Sequence, residues 1–254
     1  MAVGYLTEQN INIARGLIRG ASVVHKFGRN PSVGGVPETI WMNGGTYTYL
    51  TSASTVYVSG ADVQDSAAGT GARTVTVEGL DANYNEIEET LTVDGAVSTK
   101  SFLRVYRAFV ASAGSLQTNK GDVLVSTGAS GGGTVLADIG IIGTGTTFGL
   151  GQTQLALYTI PAGKTGYLCN WNVGIGNYND TATATLYTRE MDGLIFRTRD
   201  IMDIPGGLHQ RTYSVPFTIP EKTDIEVRAI ATTGTTVSSS FDIILYDTPR
   251  TMQV

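Results

Sequence analysis

Carboxylate and amide side chains cluster between residues 81 and 92, with a spacing close to that of a cation site. The segment Asp81-Ala-Asn-Tyr-Asn85 has the alternating oxygen ligands that begin an EF-hand loop. However, Glu86 occupies the sixth position, where that loop needs Gly, and Thr92 occupies the twelfth, where it needs a bidentate Glu. Because Asp and Asn are also ordinary turn residues, we interpret the segment as the connector of a β-hairpin.

Side chains for acid–base or nucleophilic catalysis are few. In a strand, Glu86 and Glu88 share one face with Thr90, which is typical of a solvated face rather than of paired carboxylates in a cleft. His25 and His209 are the only imidazoles, and neither has a Ser or Cys nearby in a nucleophile motif. The sequence therefore predicts that the protein is not an enzyme.

Motifs for phosphate and metal binding are also missing from the sequence. The Gly-rich strings at 69–73, 131–133 and 143–145 lack the Gly-Lys-Ser/Thr of a Walker loop and the strand-to-helix context of a dinucleotide loop. Cys169 is the single cysteine, so it forms neither an internal disulfide nor a paired-thiol metal site. We expect no cofactor and no metal.

Composition favours strands and turns over helices. Only 15% of the residues are charged, against roughly 25% in an average soluble domain, and the chain contains 32 Gly. The 17 basic and 22 acidic residues give a net charge of −5, and no stretch concentrates Lys and Arg as a nucleic-acid site requires. We expect no export signal, because the first residues have neither a basic start nor a continuous apolar run, and we expect no membrane helix, because the longest uncharged stretch is rich in Gly and Thr. We therefore expect no nucleic-acid or membrane partner, and folding in a cytoplasm.

Alternating apolar and polar residues predict an all-β protein with two antiparallel β domains. In the first domain, residues 43–140, Val75 and Val77 alternate with Thr and face a second alternating run at 87–93, which predicts a hairpin. The second domain, residues 150–254, has regularly spaced strands typical of a β-sandwich or jelly-roll. Its predicted strands are 154–160, 165–175, 181–189, 194–201, 210–217, 224–231 and 237–246.

Residues 1–42 have a different pattern, which predicts an extended N-terminal arm with one short helix. Thr7 is the expected N-cap, and Ile11, Ala14 and Ile18 recur at helical spacings of three and four. After the helix, the apolar residues follow neither the period of a strand nor that of a helix. Such a segment needs a surface to order it, which we expect to belong to a partner.

The arm is basic, whereas the rest of the chain is acidic. This asymmetry favours contact with an acidic patch on a partner protein. We predict that four basic and four apolar side chains of the arm bind this partner. They are Ile11, Arg15, Ile18, Arg19, Lys26, Phe27, Arg29 and Trp41.

Aromatic residues of the second domain suggest a sugar-binding platform as an alternative function. They are Trp171, Tyr178, Tyr187 and Tyr213. The period-2 spacing places Trp171 on one face with Cys169 and Val173, and this pattern predicts a core position for the indole ring.

Six segments of the chain resemble virion structural proteins of tailed bacteriophages, especially marine and cyanobacterial ones. They are distributed over most of the chain, from residue 24 to residue 225, and specify strand and turn chemistry without a catalytic signature. The segments are Val24-His-Lys-Phe-Gly-Arg-Asn-Pro31, Ile40-Trp41, Ala68-Gly-Thr-Gly-Ala-Arg-Thr-Val-Thr-Val-Glu-Gly-Leu-Asp-Ala-Asn-Tyr-Asn-Glu-Ile87, Phe102-Leu-Arg-Val-Tyr-Arg107, Leu155-Ala-Leu-Tyr-Thr-Ile-Pro-Ala-Gly-Lys-Thr-Gly-Tyr167 and Ile219-Pro-Glu-Lys-Thr-Asp-Ile225.

The resemblance implies a component of the virus particle, assembled in the host cytoplasm. Together with the basic arm, it leads us to expect a capsid decoration (cement) protein that binds the phage major capsid protein or another virion subunit. A homo-oligomer is expected, with a trimer by analogy. The alternative is a tail, fibre or head–tail junction component whose C-terminal β domain contacts host glycans.

Overall fold

The computed structural model describes residues 8–143, 148–191, 194–232 and 234–248, and this part of the chain is almost entirely β. The predicted all-β class with one short N-terminal helix is confirmed. None of the described helices is long and apolar enough to cross a membrane. The elements are α1 Glu8–Ala14, β1 Ala21–Val33, β2 Glu38–Thr39, β3 Tyr57–Gly60, β4 Ala72–Leu80, β5 Glu86–Thr92, β6 Arg104–Ala113, β7 Val123–Ser126, a 3₁₀ turn Ala129–Gly131, β8 Val135–Ile139, β9 Ile141–Ile142, β10 Phe148–Gly149, β11 Leu157–Thr159, β12 Lys164–Ile175, β13 Ala182–Arg189, β14 Arg197–Ile204, β15 Leu208–Ile219, β16 Asp224–Ala231 and β17 Thr235–Asp247.

Two antiparallel sheets pack together into a unit that we call the second half of the chain, although it also includes β1 and β2 from residues 21–39. One has the strand order β1-β17-β12-β15, and the other has the order β11-β16-β13-β14, with β2 paired to β16. Ala182, Ala184 and Leu186 of β13 point into the core between the sheets, as the period-2 pattern predicts. Trp171 lies fully buried in the same core, and its Nε1 donates a hydrogen bond to Ser239 Oγ at 3.0 Å. The core position predicted for Trp171 is confirmed.

The first half of the chain forms two three-stranded sheets around a second core. Their strand orders are β3-β7-β8 and β5-β4-β6. The predicted hairpin is β4–β5, and its connector is a turn in which Asp81 accepts backbone N–H groups from Asn83 at 2.8 Å and Asn85 at 2.9 Å. Glu86 and Glu88 are exposed on this hairpin, as the alternation predicts.

Residues 21–42 differ from the predicted arm, because they form part of the second pair of sheets. β1 pairs with β17 in an antiparallel register that runs from Ala21 opposite Tyr246 to Val33 opposite Thr235. β2 pairs with β16 in the facing sheet. The N-terminal region is therefore an edge strand of the sandwich and does not stand apart from the body.

The inward positions of β1 explain why its pattern did not predict a strand. The buried positions are Lys26, Gly28, Asn30 and Val33, and only Val33, at the end of the strand, is an apolar core side chain. A Cβ atom on Gly28 would lie 2.2 Å from the backbone oxygen of Ile40, so this close approach requires glycine. Asn30 satisfies its buried amide by donating to the backbone oxygen of Thr39 at 3.2 Å. Backbone contact replaces apolar packing along this strand.

The two edges of the second pair of sheets have different surroundings. The edge formed by β1 and β11 lies against the first half of the chain, where Tyr106 and Tyr158 stack edge to face at 5.1 Å. The edge formed by β14 and β15 is open, with Leu194, Leu208 and Val215 each at least 75% exposed. The domain limits predicted at residues 140 and 150 stay a prediction, since residues 144–147 lie outside the described part of the chain.

Candidate interaction surface

The N-terminal helix docks on the body through Ile13, which the helical spacing did not select. Ile13 is 3% exposed, whereas Ile11 is 44% exposed and Ala14 is exposed. The helix predicted from Ile11, Ala14 and Ile18 therefore forms, but it docks through Ile13, while Ile11 and Ala14 face outward. The physical reason is that α1 has only seven residues and ends at Ala14, so Ile18 lies beyond the helix, where it is half-buried. Thr7, the predicted N-cap, lies outside the described residues.

A Schellman motif at Gly16 ends the helix. The glycine has a φ of +73°, its N–H donates to the backbone oxygen of Ile13 at 2.8 Å, and the N–H of Leu17 donates to that of Asn12 at 2.8 Å. In this motif, the residue after the glycine folds back toward the last turns of the helix. Leu17 is 60% exposed, and the motif favours a contact between its side chain and that of the exposed Ile11.

Two arginines flank this apolar pair. Arg15 and Arg19 are exposed, and neither forms an ion pair within the described ranges. We call Ile11, Arg15, Leu17 and Arg19 the N-terminal patch. The patch joins two large apolar side chains and two unneutralised positive charges on a protein whose net charge is −5.

Lys26 points into the cleft between the two halves of the chain. Lys26 is only 7% exposed, and its Nζ donates a hydrogen bond to the backbone oxygen of Tyr106. Burial, and then the positive charge of Arg107, lower the pKa of Lys26 to about 7, while Glu78 acts in the opposite direction. The cavity around these residues has a volume of about 340 Å³. The prediction that Lys26 binds a partner is corrected, because its ammonium group makes an internal contact.

Trp41 is likewise turned into the protein. It is 3% exposed, its Nε1 donates to the backbone oxygen of Gly45 at 3.1 Å, and its ring meets Tyr47 edge to face at 5.1 Å. The predicted partner contact of Trp41 is therefore corrected to a core contact. Phe27 and Arg29 are half-buried on β1, where they line a separate cavity of about 220 Å³.

Of the eight predicted partner-binding residues, the structure brings three together on the outer surface: Ile11, Arg15 and Arg19. The others lie on β1, in the core, or half-buried beyond the helix. Leu17 completes the surface and was missed by the sequence analysis. Its signal was present, since Gly followed by an apolar residue just after a helix is the mark of a Schellman motif with a hydrophobic contact.

Comparisons with known proteins do not assign the chain to a family. No protein-family model matches the chain, and no curated protein sequence matches it. Two solved structures of infectious bursal disease virus are distantly similar to it. The Gx strain structure has 9% identity over 91% of this chain and 73% of that chain, with a TM-score of 0.25. The Gt strain structure has 11% identity over 88% and 70%, with a TM-score of 0.22. Similarities at this level do not establish a shared fold.

Proposed function

We propose that the protein is a structural component of a phage virion, a decoration or cement protein that binds a shell subunit through the N-terminal patch. The observation that carries the proposal is the exposed pair Ile11 and Leu17 beside two exposed arginines, Arg15 and Arg19, that form no ion pair with any described residue. The resemblance of most of the chain to tailed-phage virion proteins supports a role in the particle.

The chemistry of the patch defines the partner surface that would fit it. Burying Ile11 and Leu17 favours association by roughly 25 cal/mol for each Å² of apolar surface removed from water. Arg15 and Arg19 favour a partner with carboxylates at the rim of that apolar surface, and they discriminate against basic partners. A shell subunit with an apolar depression bordered by Asp or Glu would meet both requirements.

The patch is held in place before binding, which distinguishes it from the flexible arm expected from the sequence. Ile13 docks the helix on the body, and the Gly16 motif positions Leu17 relative to the helix. A preorganised patch loses less conformational entropy on binding than a disordered segment does. A decoration protein also has to occupy a repeating lattice without polymerising by itself, and one small rigid patch satisfies that condition.

The test is incorporation of variant chains into particles. We expect the double variant Ile11→Ser with Leu17→Ser to fold normally, since both side chains are exposed, but to be lost from purified particles. Arg15→Glu with Arg19→Glu should have the same effect, because it reverses the charge of the patch. Val63→Ser is the matched control, since Val63 is 91% exposed on the other half of the chain. That control should be incorporated like the native chain.

Copy number in the particle separates the decoration role from the alternative. A number that scales with the shell subunits supports decoration, whereas a number that scales with the tail overturns it in favour of a tail or fibre component. Normal incorporation of both patch variants would overturn the role of the patch. Glycan binding by the native chain, measured on immobilised host polysaccharide, would support the tail alternative.

A further inference from the structure

Two aspartates on the β7–β8 pair share one face of the sheet. In this pair Leu124 lies opposite Asp138. Asp122 precedes Leu124 by two residues, so the alternation of an extended chain puts its side chain on the same face as Asp138. The backbone oxygen of Asp122 accepts the N–H of Ala61 at 2.8 Å, which aligns this residue with the sheet. Diagonal neighbours of this kind are about 7–8 Å apart at the backbone, within reach of each other's carboxylates.

Asp138 is buried without compensation. The residue is 7% exposed, and its Oδ1 is shielded from solvent and has no hydrogen-bond partner in the described part of the chain. Burial, and then the negative charge of Asp122, raise the pKa of Asp138 to about 7. Neither carboxylate forms an ion pair with a described Lys, Arg or His. Two acidic groups thus face each other with no positive charge between them.

The apolar surroundings of the pair strengthen the repulsion between the two carboxylates. Gly140 follows the strand at the position opposite Asp122, and the side chain of Met42 packs against it, so that a Cβ on Gly140 would lie 2.5 Å from Met42 Cε. The apolar thioether of Met42 therefore borders the sheet face at Gly140, next to the two aspartates. Charges interact more strongly in such surroundings than they do in water.

Asp65, in the same half of the chain, is a buried carboxylate whose hydrogen bonds are all supplied by the protein backbone. Its two oxygens accept the backbone N–H groups of Ala72 at 2.7 Å, Lys120 at 2.9 and 3.0 Å, and Gly121 at 2.7 Å. Asp138 has none of these donors. An unsatisfied buried polar group requires an explanation, and an ion is one of the few that apply.

We propose that Asp122 and Asp138 together bind an oxygen-preferring divalent cation, for which Ca²⁺ is the probe. A divalent cation neutralises both carboxylates at once, and carboxylate oxygens are the ligands that Ca²⁺ and Mg²⁺ prefer. The inference is independent of the N-terminal patch and of the proposed role in the particle.

The pair supplies only part of a coordination sphere. Among the described residues, no group of three or more His, Cys, Asp or Glu side chains is placed to hold a metal. Water and backbone oxygens therefore complete the six to eight ligands of a Ca²⁺ site. With two carboxylates, we expect a weak site, with a Kd in the range of about 10⁻⁴–10⁻³ M that is typical of extracellular modules.

Thermal unfolding of the full chain after chelator treatment tests the proposal. Because ligand binding to the native state stabilises it, CaCl₂ at a few times Kd should raise the Tm of the native sequence by about 2–4 °C, beyond the effect of NaCl at equal ionic strength. Asp138→Asn should remove this response and should raise the Tm measured without Ca²⁺, because it removes a buried charge. Asp122→Asn should also remove the response, and it keeps the test valid if the first variant folds poorly.

Asp81→Asn is the matched control, because it alters the other segment of the chain that has calcium-like spacing. Its Ca²⁺ response should equal that of the native sequence. A Tm that does not change with Ca²⁺, or a response that survives in both variants of the pair, would overturn the proposal. A third result would also overturn it: no Ca²⁺ response, together with a stability that falls as pH rises through about 7 in the native sequence but not in Asp138→Asn. That result would show that a proton shared by the two carboxylates, and not a cation, removes their repulsion.

Discussion

Arg104 and Asp224 form a bidentate ion pair between the two halves of the chain, with Nε to Oδ1 at 2.8 Å and Nη2 to Oδ2 at 3.1 Å. The two side chains are only 7% and 4% exposed. Arg189 donates its Nε to Oδ2 at 3.0 Å, and Thr159 donates its hydroxyl to Oδ1 at 2.6 Å. Asp224 therefore accepts from both halves of the molecule and serves two arginines at once.

This arrangement predicts unequal costs for removing its members. Asp224→Asn leaves two largely buried guanidinium groups without a counter-charge, and we expect it to lower the free energy of unfolding by about 3–5 kcal/mol. Arg104→Met should cost less, because Arg189 still neutralises Asp224. Urea denaturation measures both. Glu190→Gln is the control, since its pair with Arg197 is largely exposed and should contribute no more than about 1 kcal/mol. Equal costs for Asp224→Asn and Arg104→Met would contradict the prediction.

Asp65→Asn should destabilise the first half of the chain. Asp65 is fully buried and accepts four backbone hydrogen bonds, so an amide NH₂ in place of one oxygen would oppose existing donors. We expect a loss of about 3 kcal/mol in urea denaturation, the scale of one or two unsatisfied buried donors. Asp62→Asn provides the comparison, because Asp62 accepts only the exposed N–H of Gln64 and should change stability little. A similar small effect for both variants would refute this role of Asp65.

Lys26 predicts a pH dependence of stability. Its pKa falls from the ordinary 10.5 to about 7 on folding, so between these values the unfolded chain binds a proton that the folded chain does not. Stability therefore rises with pH across this window, by roughly 1 kcal/mol per pH unit from this group. Lys26→Met should be more stable than the native sequence near pH 7 and lose that advantage toward pH 10.

The difference between these two proteins isolates Lys26 from the other titrating groups. The charged residues that face it, Arg107 and Glu78, are the same in both proteins. Urea denaturation at several pH values gives the difference directly. A difference that does not vary with pH would show that Lys26 keeps its ordinary pKa in the folded state.

Trp171→Ala should unfold the second pair of sheets rather than abolish a binding site. The indole is completely buried between the sheets, and loss of such a ring costs about 3–5 kcal/mol. Trp171 and Trp41 are the only two tryptophans, and both are buried, so the native emission should be blue-shifted and should move to the red on unfolding. Ser239→Ala removes the hydrogen bond from Trp171 Nε1 and the one that Ser239 donates to the backbone oxygen of Asn172 at 3.0 Å, and it should cost about 2 kcal/mol. A stable Trp171→Ala protein that has lost glycan binding would contradict the core assignment.

The docking face of the helix is tested by amide hydrogen exchange. Ile13→Ala should increase exchange across residues 9–20, because Ile13 is the buried residue that attaches the helix to the body. Ile11→Ala should leave the same amides protected, since Ile11 is 44% exposed. The reverse result would restore the stripe predicted from helical spacing.

The sequence by itself determined the β class, most strands and their turns. β16 begins and ends at the predicted residues, Asp224 and Ala231, and the β4–β5 hairpin turns on Asp81 as its turn chemistry predicts. These features were predictable because alternation of burial and turn preference are properties of consecutive residues. Trp171 shares its core face with Val173, as the period-2 spacing predicts, but not with Cys169, because a register shift between Leu168 and Asn170 interrupts the alternation there.

Only the tertiary structure decided which segments join the body and which side chains stay outside. β1 finds its partner β17 at the other end of the chain, where His25 and Asp242 are 217 positions apart, and no local pattern encodes such a pairing. From Lys26 to Asn30 its buried positions are polar residues or glycine, because this part of the strand packs against backbone and the cleft, and the pattern therefore predicts a surface position for Lys26, which is buried. Asp122 and Asp138 likewise meet only through the register of β7 and β8. Burial of a polar group depends on what the rest of the chain places around it, and that information is not local.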